Sequence, residues 1–166
     1  MGVMASLSDF TFMAEKGKLF VNAPNAVKGN HVEKCDSASG QFQSENTGVV
    51  DGVGTQEEIL GEIRELICML PGDNTEGGRY DECEDDLNRA CESVDAMKGD
   101  PRYVLSELSD GHVFFETKKD FAKNMVTGFI KLNGMTVGAV ANCSECYDEE
   151  GKKAEEFETV LTAKGC

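Results

Sequence analysis

The sequence predicts a mixed α/β fold from two local signals and from the order of its elements. Asn133-Gly134 lies between two apolar, β-branched runs, which is the strongest short hairpin signal because both residues tolerate the positive φ of a type I′ turn. Residues 55–58, Thr-Gln-Glu-Glu, form a capping box ahead of apolar residues at helical spacing. Strands and helices therefore share one chain, as in α/β and α+β domains.

Composition excludes several classes of protein. The chain has 166 residues, of which 40% are hydrophobic, enough for the core of one ordinary domain or two small ones. Its formal charge of −15 repels nucleic acid and anionic membranes. Apolar runs are shorter than the roughly 18 residues of a membrane helix, and a signal-peptide pattern is missing. The sequence predicts a cytoplasmic protein with no nucleic-acid partner and no membrane insertion.

The first third of the chain predicts two short strands, a loop and a helix. The strands are expected at residues 10–13 and 19–22, around a Lys16-Gly17 turn. Residues 30–54 are polar, glycine-dotted and without a period, which predicts a long loop. After the capping box, a helix ends at Pro71 and carries a core stripe of Ile59, Leu60, Ile63, Leu66, Ile67 and Leu70.

The rest of the chain predicts an acidic linker at residues 72–99, a helix, three strands and a last helix. Asp100 at the N-cap and Pro101 at N1 begin the second helix, with Val104, Leu105 and Leu108 on one face. Asp110-Gly111 turns the chain into a strand at residues 112–117. The last amphipathic helix is expected at residues 153–163.

The alternation of the hairpin strands predicts which face is buried. Val126, Gly128, Ile130 and Leu132 are expected inside, and Met125, Thr127, Phe129 and Lys131 on the opposite face. Residues 137–141 are small or apolar without a break, which predicts a second strand covered on both sides.

The seven cysteines are odd in number and lack a secreted-scaffold spacing, so reduced thiols are favoured. Cys143 and Cys146 form a lone C-x-x-C. Neither His31 nor His112 supplies further ligands at a zinc-site spacing. Ordinary thiols are therefore favoured over a metal or redox site, and we expect no bound metal.

Four lysines gather around the predicted strands of this acidic chain: Lys118, Lys119, Lys123 and Lys131. A local group of ammonium charges can hold phosphate or carboxylate despite the overall sign. The alternative is an ordinary solvated face, on which removal of one lysine costs little stability. The residues alone leave both interpretations open.

Residues 112–142, "HVFFETKKDFAKNMVTGFIKLNGMTVGAVAN", resemble the carboxyltransferase subunit of biotin-dependent acyl-CoA carboxylases of the acetyl-, propionyl- and methylmalonyl-CoA type. In that family an F-x-E run precedes a "Y/F-A-K-N-I-V-T-G-F-A-R-L-N-G" hairpin at the start of the C-terminal half. Upstream, "SDFTFM", "LFVNAPNAVK", "TGVVDG" and "MLP" resemble further family segments in the same order.

The resemblance implies an α/β crotonase-like (ClpP/crotonase) ββα spiral, incomplete and spanning the junction of the family's two halves. Residues 1–71 would end the N-terminal half, 72–99 would be the variable linker, and 100–166 would begin the C-terminal half. The implied activity moves a carboxyl group between carboxybiotin and an acyl-CoA, a coenzyme A thioester. Biotin would sit on a biotin carboxyl-carrier partner, with a biotin carboxylase subunit as second partner and a homo-oligomer as the full-length form.

Departures from the family pattern imply that the isolated chain is inactive and contains no catalytic residue. Ser39-Gly40 keeps one glycine of a "G-G-A-x-x-H" loop and loses its histidine, and Lys131 replaces an arginine. The substrate-binding candidates are Gly40, Gly48, Lys118 and Lys119. Two alternatives stay open: the alpha subunit of a biotin-dependent, sodium-pumping acyl-CoA decarboxylase, and a non-catalytic subunit-contact module.

Overall fold

The computed structural model describes residues 2–20, 36–73, 82–86, 88–91, 94–95, 99–147 and 153–156. These residues belong to two compact units, one drawn from Met1–Leu66 with Lys118–Ala122 and one from Ile67–Thr117 with Lys123–Cys166. The helices are α1 (Gly2–Ala5), α2 (Gly40–Phe42), a π-helical turn (Gln43–Thr47), α3 (Gln56–Met69), α4 (Pro101–Leu108) and a 3-10 turn (Asp110–His112). The strands are β1 (Phe12–Ala14), β2 (Gly52–Gly54), β3 (Phe114–Thr117), β4 (Met125–Leu132), β5 (Met135–Asn142), β6 (Glu145–Tyr147) and β7 (Lys153–Glu156).

In the first unit β1 pairs in parallel with β2, Phe12 opposite Gly52 and Ala14 opposite Gly54. The strand predicted at residues 19–22 is wrong for residues 19 and 20, which form no strand, and residues 21 and 22 lie outside the described residues. The observed partner of β1 is β2, which lies within the segment predicted to be a loop, residues 30–54. Glycine permits the close approach, since a Cβ at Gly52 would lie 3.0 Å from the Phe12 ring.

The predicted loop at residues 30–54 is wrong for much of its described part. Ser39 caps α2 by accepting a hydrogen bond from the Phe42 amide at 3.2 Å, and the helix continues into the π-helical turn. Gln43 and Ser44 of that turn are buried polar residues. The apolar period that predicts a helix is missing because polar side chains occupy the inward positions.

Helix α3 confirms the predicted capping box. The Glu58 carboxylate accepts from the Thr55 amide at 2.8 Å, and the Thr55 hydroxyl accepts from the Glu58 amide at 3.4 Å. Hydrogen bonds from the Thr55 backbone and hydroxyl hold the pKa of Glu58 below its usual value. Ile59 and Leu66 are buried as predicted, but Leu60 and Ile67 are exposed, because a helix buries a face narrower than the whole apolar stripe.

In the second unit α4 begins as predicted, with the Asp100 carboxylate accepting from the Arg102 amide at 3.0 Å and Pro101 in the first turn. The Arg102 guanidinium reaches Glu116 on β3, with Nε to Oε2 at 2.9 Å and Nη2 to Oε1 at 2.8 Å. This forked ion pair attaches the helix to the sheet. Leu108 is exposed, contrary to its predicted inward face.

The hairpin is confirmed. Strands β3, β4 and β5 form an antiparallel sheet in that order. Asn133 has φ 51° and Gly134 φ 77°, the signs that a type I′ turn requires. The predicted buried face is confirmed for Val126, Gly128 and Ile130, whereas Leu132 is exposed.

Three further expectations for the second unit are wrong. Strand β5 pairs with one strand only among the described residues, and its Val140 is 71% exposed, so the strand is not covered on both sides. Strand β3 begins at Phe114, because His112 has φ 57° within a turn. Lys153–Glu156 pairs with β6 as a strand, where a helix was expected, since pairing overrides weak helical periodicity; residues 157–163 lie outside the described residues.

Among the residues that the structure describes, helices long and apolar enough to cross a membrane are absent.

Replacing Gly134 by valine should lower the free energy of unfolding by roughly 1 to 3 kcal/mol, because a β-branched residue is strained at positive φ. Gly138 of the same hairpin has open space at its Cβ position, so Gly138→Val is the matched control and should cost nothing comparable. Thermal unfolding of both variants is the measurement. Equal stability of Gly134→Val and wild type would contradict the turn assignment.

Replacing Arg102 by lysine should lower the free energy of unfolding by about 1 to 2 kcal/mol, since an ammonium cannot make the two-pronged contact with Glu116. Arg64 is exposed on α3, and Arg64→Lys should stay within about 0.5 kcal/mol of wild type. Urea titration separates the two. Indistinguishable midpoints would show that the Arg102 fork contributes no stability.

Candidate functional site

The candidate site lies in the first unit, where two of the predicted residues meet. The Lys118 ammonium donates a hydrogen bond to the carbonyl of Gly48 and lies 3.2 Å from Oδ1 of Asp51. Asp51 is only 4% exposed, and its Oδ2 accepts from the Thr11 amide at 2.8 Å. The site therefore contains a buried carboxylate held between a main-chain donor and a cation.

The contact between Asp51 and Lys118 is ionic. Within the described residues, Oδ1 of Asp51 has no hydrogen-bond donor of good geometry, although the ammonium is within ion-pair distance. The distance between the two charges is enough to define an ion pair, because Coulomb attraction depends weakly on angle. A hydrogen bond depends strongly on angle, so the same contact does not count as one. Lys118 also has φ 53°, a left-handed conformation that costs energy in a non-glycine residue.

Neighbouring contacts hold the same short segment, Lys118–Ala122, against the π-helical turn and the residue that follows it. The Ser44 hydroxyl donates to the Asp120 carboxylate at 3.0 Å. Gly48 has φ 64°, and a Cβ there would lie 2.8 Å from the Phe121 ring. Glycine at position 48 therefore permits both the positive φ of the turn and the close approach of the Phe121 ring.

The other two predicted residues occupy different places in the first unit. Gly40 begins α2, where a Cβ would lie 3.1 Å from Val53, so its small size permits packing against β2. The Lys119 ammonium lies 2.8 Å from the Glu62 carboxylate, with side chains 46% and 30% exposed respectively. The predicted lysine group is divided, because Lys123 and Lys131 belong to the second unit.

Sequence reasoning missed four residues of this site: Thr11, Ser44, Asp51 and Asp120. Asp51 carried a faint signal, since it lies between apolar and glycine residues in Gly48–Gly54. Its cation is Lys118, which lies far along the chain. Lys118 is 70 residues from Gly48, whose carbonyl it also contacts. Local pattern reasoning cannot find a pair so distant in sequence.

The described residues contain no cluster of three or more metal-ligating side chains. Cys143 is buried, and its thiol donates to the Glu145 carbonyl at 3.2 Å while Arg102 Nη1 lies 3.5 Å from the sulfur. The side chain of Cys146 lies outside the described residues. The expectation of ordinary thiols without metal stays a prediction.

Two solved structures define the class of fold. One is a transcarboxylase 12S structure solved with hydrolysed methylmalonyl-coenzyme A, matched with a TM-score of 0.72 and 26% identity over 83% of this chain and 29% of that one. The other is a single-chain, multi-domain long-chain acyl-CoA carboxylase, with a TM-score of 0.62 and 17% identity over 86% of this chain and 14% of that one. The fold is mixed α/β and crotonase-like, in partial form.

The family follows from the sequence match. Residues 2–163 match the carboxyl transferase domain model, and the chain belongs to that family. The propionyl-CoA carboxylase beta chain of Cereibacter sphaeroides is 32% identical over 92% of this chain and 33% of its own length. The methylmalonyl-CoA carboxyltransferase 12S subunit of Propionibacterium freudenreichii subsp. shermanii is 29% identical over 92% and 32% respectively. The chain thus spans about a third of the length of these relatives.

The burial of Asp51 revises the expectation that Lys118 is a dispensable surface charge. Lys118→Ala should lower the free energy of unfolding by about 1 to 3 kcal/mol, because it leaves a buried carboxylate without its cation. Lys119→Ala should cost no more than about 0.5 kcal/mol, since its pair with Glu62 is exposed to solvent. Chemical denaturation of the two variants tests the difference.

A double-mutant cycle isolates the ion pair. Asp51→Asn removes the buried charge, so Lys118→Ala should cost clearly less in that background than in wild type. Additive costs would contradict the ion pair as the reason for the Lys118 effect.

Proposed function

We propose that this chain acts as part of a carboxyltransferase that moves a carboxyl group between carboxybiotin and an acyl-CoA. The observation that carries the proposal is the match to the carboxyl transferase domain over residues 2–163. The hairpin of β4 and β5, whose turn at Asn133-Gly134 falls at the N-G of the family segment quoted above, is consistent with it. Biotin would be carried by a biotin carboxyl-carrier partner and charged by a biotin carboxylase subunit, with the coenzyme A thioester as substrate.

The proposed chemistry needs no side-chain nucleophile. Removal or addition of a carboxylate beside a thioester passes through an enolate, and main-chain N–H groups aimed at its oxygen stabilise the charge as it develops. The chain's role is to bind and orient the acyl-CoA, a molecule whose phosphates need cations. We propose residues 1–71, 72–99 and 100–166 as the end of one family half, a linker, and the start of the other.

Of the two lysine candidates for a phosphate contact, Lys119 is the better placed. Lys118 is engaged by the Gly48 carbonyl and by a carboxylate that is buried, and withdrawing it would strand that charge. The Lys119 pair with Glu62 is exposed, and an exposed ion pair is weak enough to exchange for a phosphate. The proposed substrate-binding residues are Gly40, Gly48, Lys118 and Lys119, with Lys118 holding the local backbone and Lys119 contacting the anion.

A second candidate function is the alpha subunit of a biotin-dependent acyl-CoA decarboxylase. The observation that favours it is the similarity to methylmalonyl-CoA decarboxylase subunit alpha of Propionigenium modestum, 28% identical over 92% of this chain and 33% of that protein. Both candidates share the same half-reaction at the thioester. Binding of the chain to a biotin carboxylase subunit separates them without turnover, because the carboxylase needs that partner to charge biotin and the decarboxylase does not.

Calorimetric titration with coenzyme A tests the binding part of the proposal. Wild type should bind, and Lys119→Ala should bind about 3- to 10-fold more weakly, because one charge-assisted contact is lost. Lys16→Ala, which removes an exposed lysine outside the predicted group, is the matched control and should bind as wild type does. Equal affinity of wild type and both variants for coenzyme A would show that Lys119 does not contact the ligand.

Carboxyl transfer by the 166-residue chain is expected to be absent in a turnover assay with a biotinylated carrier and several acyl-CoAs. The reason is that the family's glycine-rich loop is reduced to the single glycine of Ser39-Gly40 and has lost its histidine. Enzyme-dependent transfer would contradict that part of the proposal.

A further inference from the structure

Glu62 on α3 binds the ammonium group to which the proposed function assigns a ligand phosphate. Its Oε1 lies 2.8 Å from Nζ of Lys119. Its other carboxylate oxygen, Oε2, lies over the backbone of β2, 2.5 Å from the position that a Cβ of Gly52 would take. Glycine at position 52 therefore leaves the space in which this carboxylate lies. The chain thus places an anion of its own where a phosphate would bind.

A second carboxylate of the same helix faces the same lysine. Glu58 precedes Glu62 on α3 by four residues, and side chains at that spacing are neighbours on a helix surface. Hydrogen bonds from Thr55 are the largest cause of the lowered pKa of Glu58, and the charge of Lys119 lowers that pKa further. Lys119 therefore lies in the field of two carboxylates, and one of them contacts it directly.

The backbone on either side of Lys119 is held by other contacts. The Lys118 ammonium donates a hydrogen bond to the Gly48 carbonyl. The Asp120 carboxylate accepts a hydrogen bond from the Ser44 hydroxyl at 3.0 Å. Because both sequence neighbours of Lys119 are anchored, its ammonium can exchange one anion for another while its backbone stays in place. The ion pair that Lys119 makes is partly exposed, and exposed pairs are weak enough for such an exchange.

We infer that Glu62 is an internal competitor for Lys119, so that a ligand phosphate binds by displacing the Glu62 carboxylate. This inference rests on the proposed function, because that function places a coenzyme A phosphate on Lys119. The apparent affinity of such a ligand is its intrinsic affinity reduced by the fraction of molecules in which the ion pair is open. Glu62 thereby lowers the occupancy of the site by small anions, while a ligand that makes further contacts still binds.

Calorimetric titration of the Glu62→Gln variant with coenzyme A tests the inference. The amide keeps the size of the side chain but removes its charge. The variant should bind coenzyme A about 3- to 10-fold more tightly than wild type, because the competing ion pair and a charge that repels phosphate are both lost. Glu65→Gln removes the same charge from an exposed position on the same helix and should bind as wild type does. A gain in affinity is diagnostic, since loss of a merely structural contact weakens binding.

Two further probes identify the part of the ligand for which Glu62 competes. Pyrophosphate, which carries phosphate groups alone, should gain affinity from Glu62→Gln by a similar factor. Pantetheine, the part of coenzyme A without phosphates, should gain nothing. In a Lys119→Ala background the effect of Glu62→Gln should disappear, because the ammonium for which the two anions compete has been removed. Circular dichroism and urea unfolding check that every variant is folded.

The inference is overturned if Glu62→Gln binds both anions no more tightly than wild type, or if its gain persists without Lys119 or is equalled by Glu65→Gln. Failure of the proposed function has a different signature. Coenzyme A binding that depends on Lys119 but not on Glu62 overturns this inference alone. A Lys119-dependent gain for pyrophosphate without any binding of coenzyme A supports the competition and contradicts the proposed ligand. Absence of binding of both anions to every variant overturns both.

Discussion

A buried carboxylate is the constraint on which the first unit depends. Asp51 is 4% exposed, and an ionised carboxylate away from water needs compensation by donors and a cation. The Thr11 amide supplies one donor, and Lys118 supplies the charge. Lys118–Ala122 consequently belongs to the first unit, although the residues on either side of it in sequence belong to the second.

The same constraint explains why unusual backbone conformations gather at one place. Gly48, Lys118 and Ala122 all have positive φ, and the turn just before Gly48 is π-helical. The positive φ of Lys118 and of Ala122 and the π-helical turn each cost energy alone, whereas glycine adopts the conformation of Gly48 without strain. Together they bring the Gly48 carbonyl, the Asp51 carboxylate and the Lys118 ammonium into contact, while the Phe121 ring covers Gly48.

The second unit follows more regular rules. An N-capped helix, a forked arginine–glutamate pair and a hairpin with a type I′ turn attach one helix to three strands. Its edge strand is the exception, since β5 has the length and composition of an internal strand but pairs on one side only among the described residues.

The sequence by itself determined the features in which partners lie within a few residues of one another. The capping box of Thr55 and Glu58, the Asp100 cap and the Asn133-Gly134 turn were all predicted, because each depends on local hydrogen bonds or local φ preference. The family, too, was identified from short ordered motifs. Only the tertiary structure decided that β1 pairs with Gly52–Gly54, that polar Gln43 and Ser44 face inward, and that Asp51 meets Lys118. Those contacts join residues about 40 to 76 positions apart, and local propensity carries no information about which distant groups a buried charge will recruit.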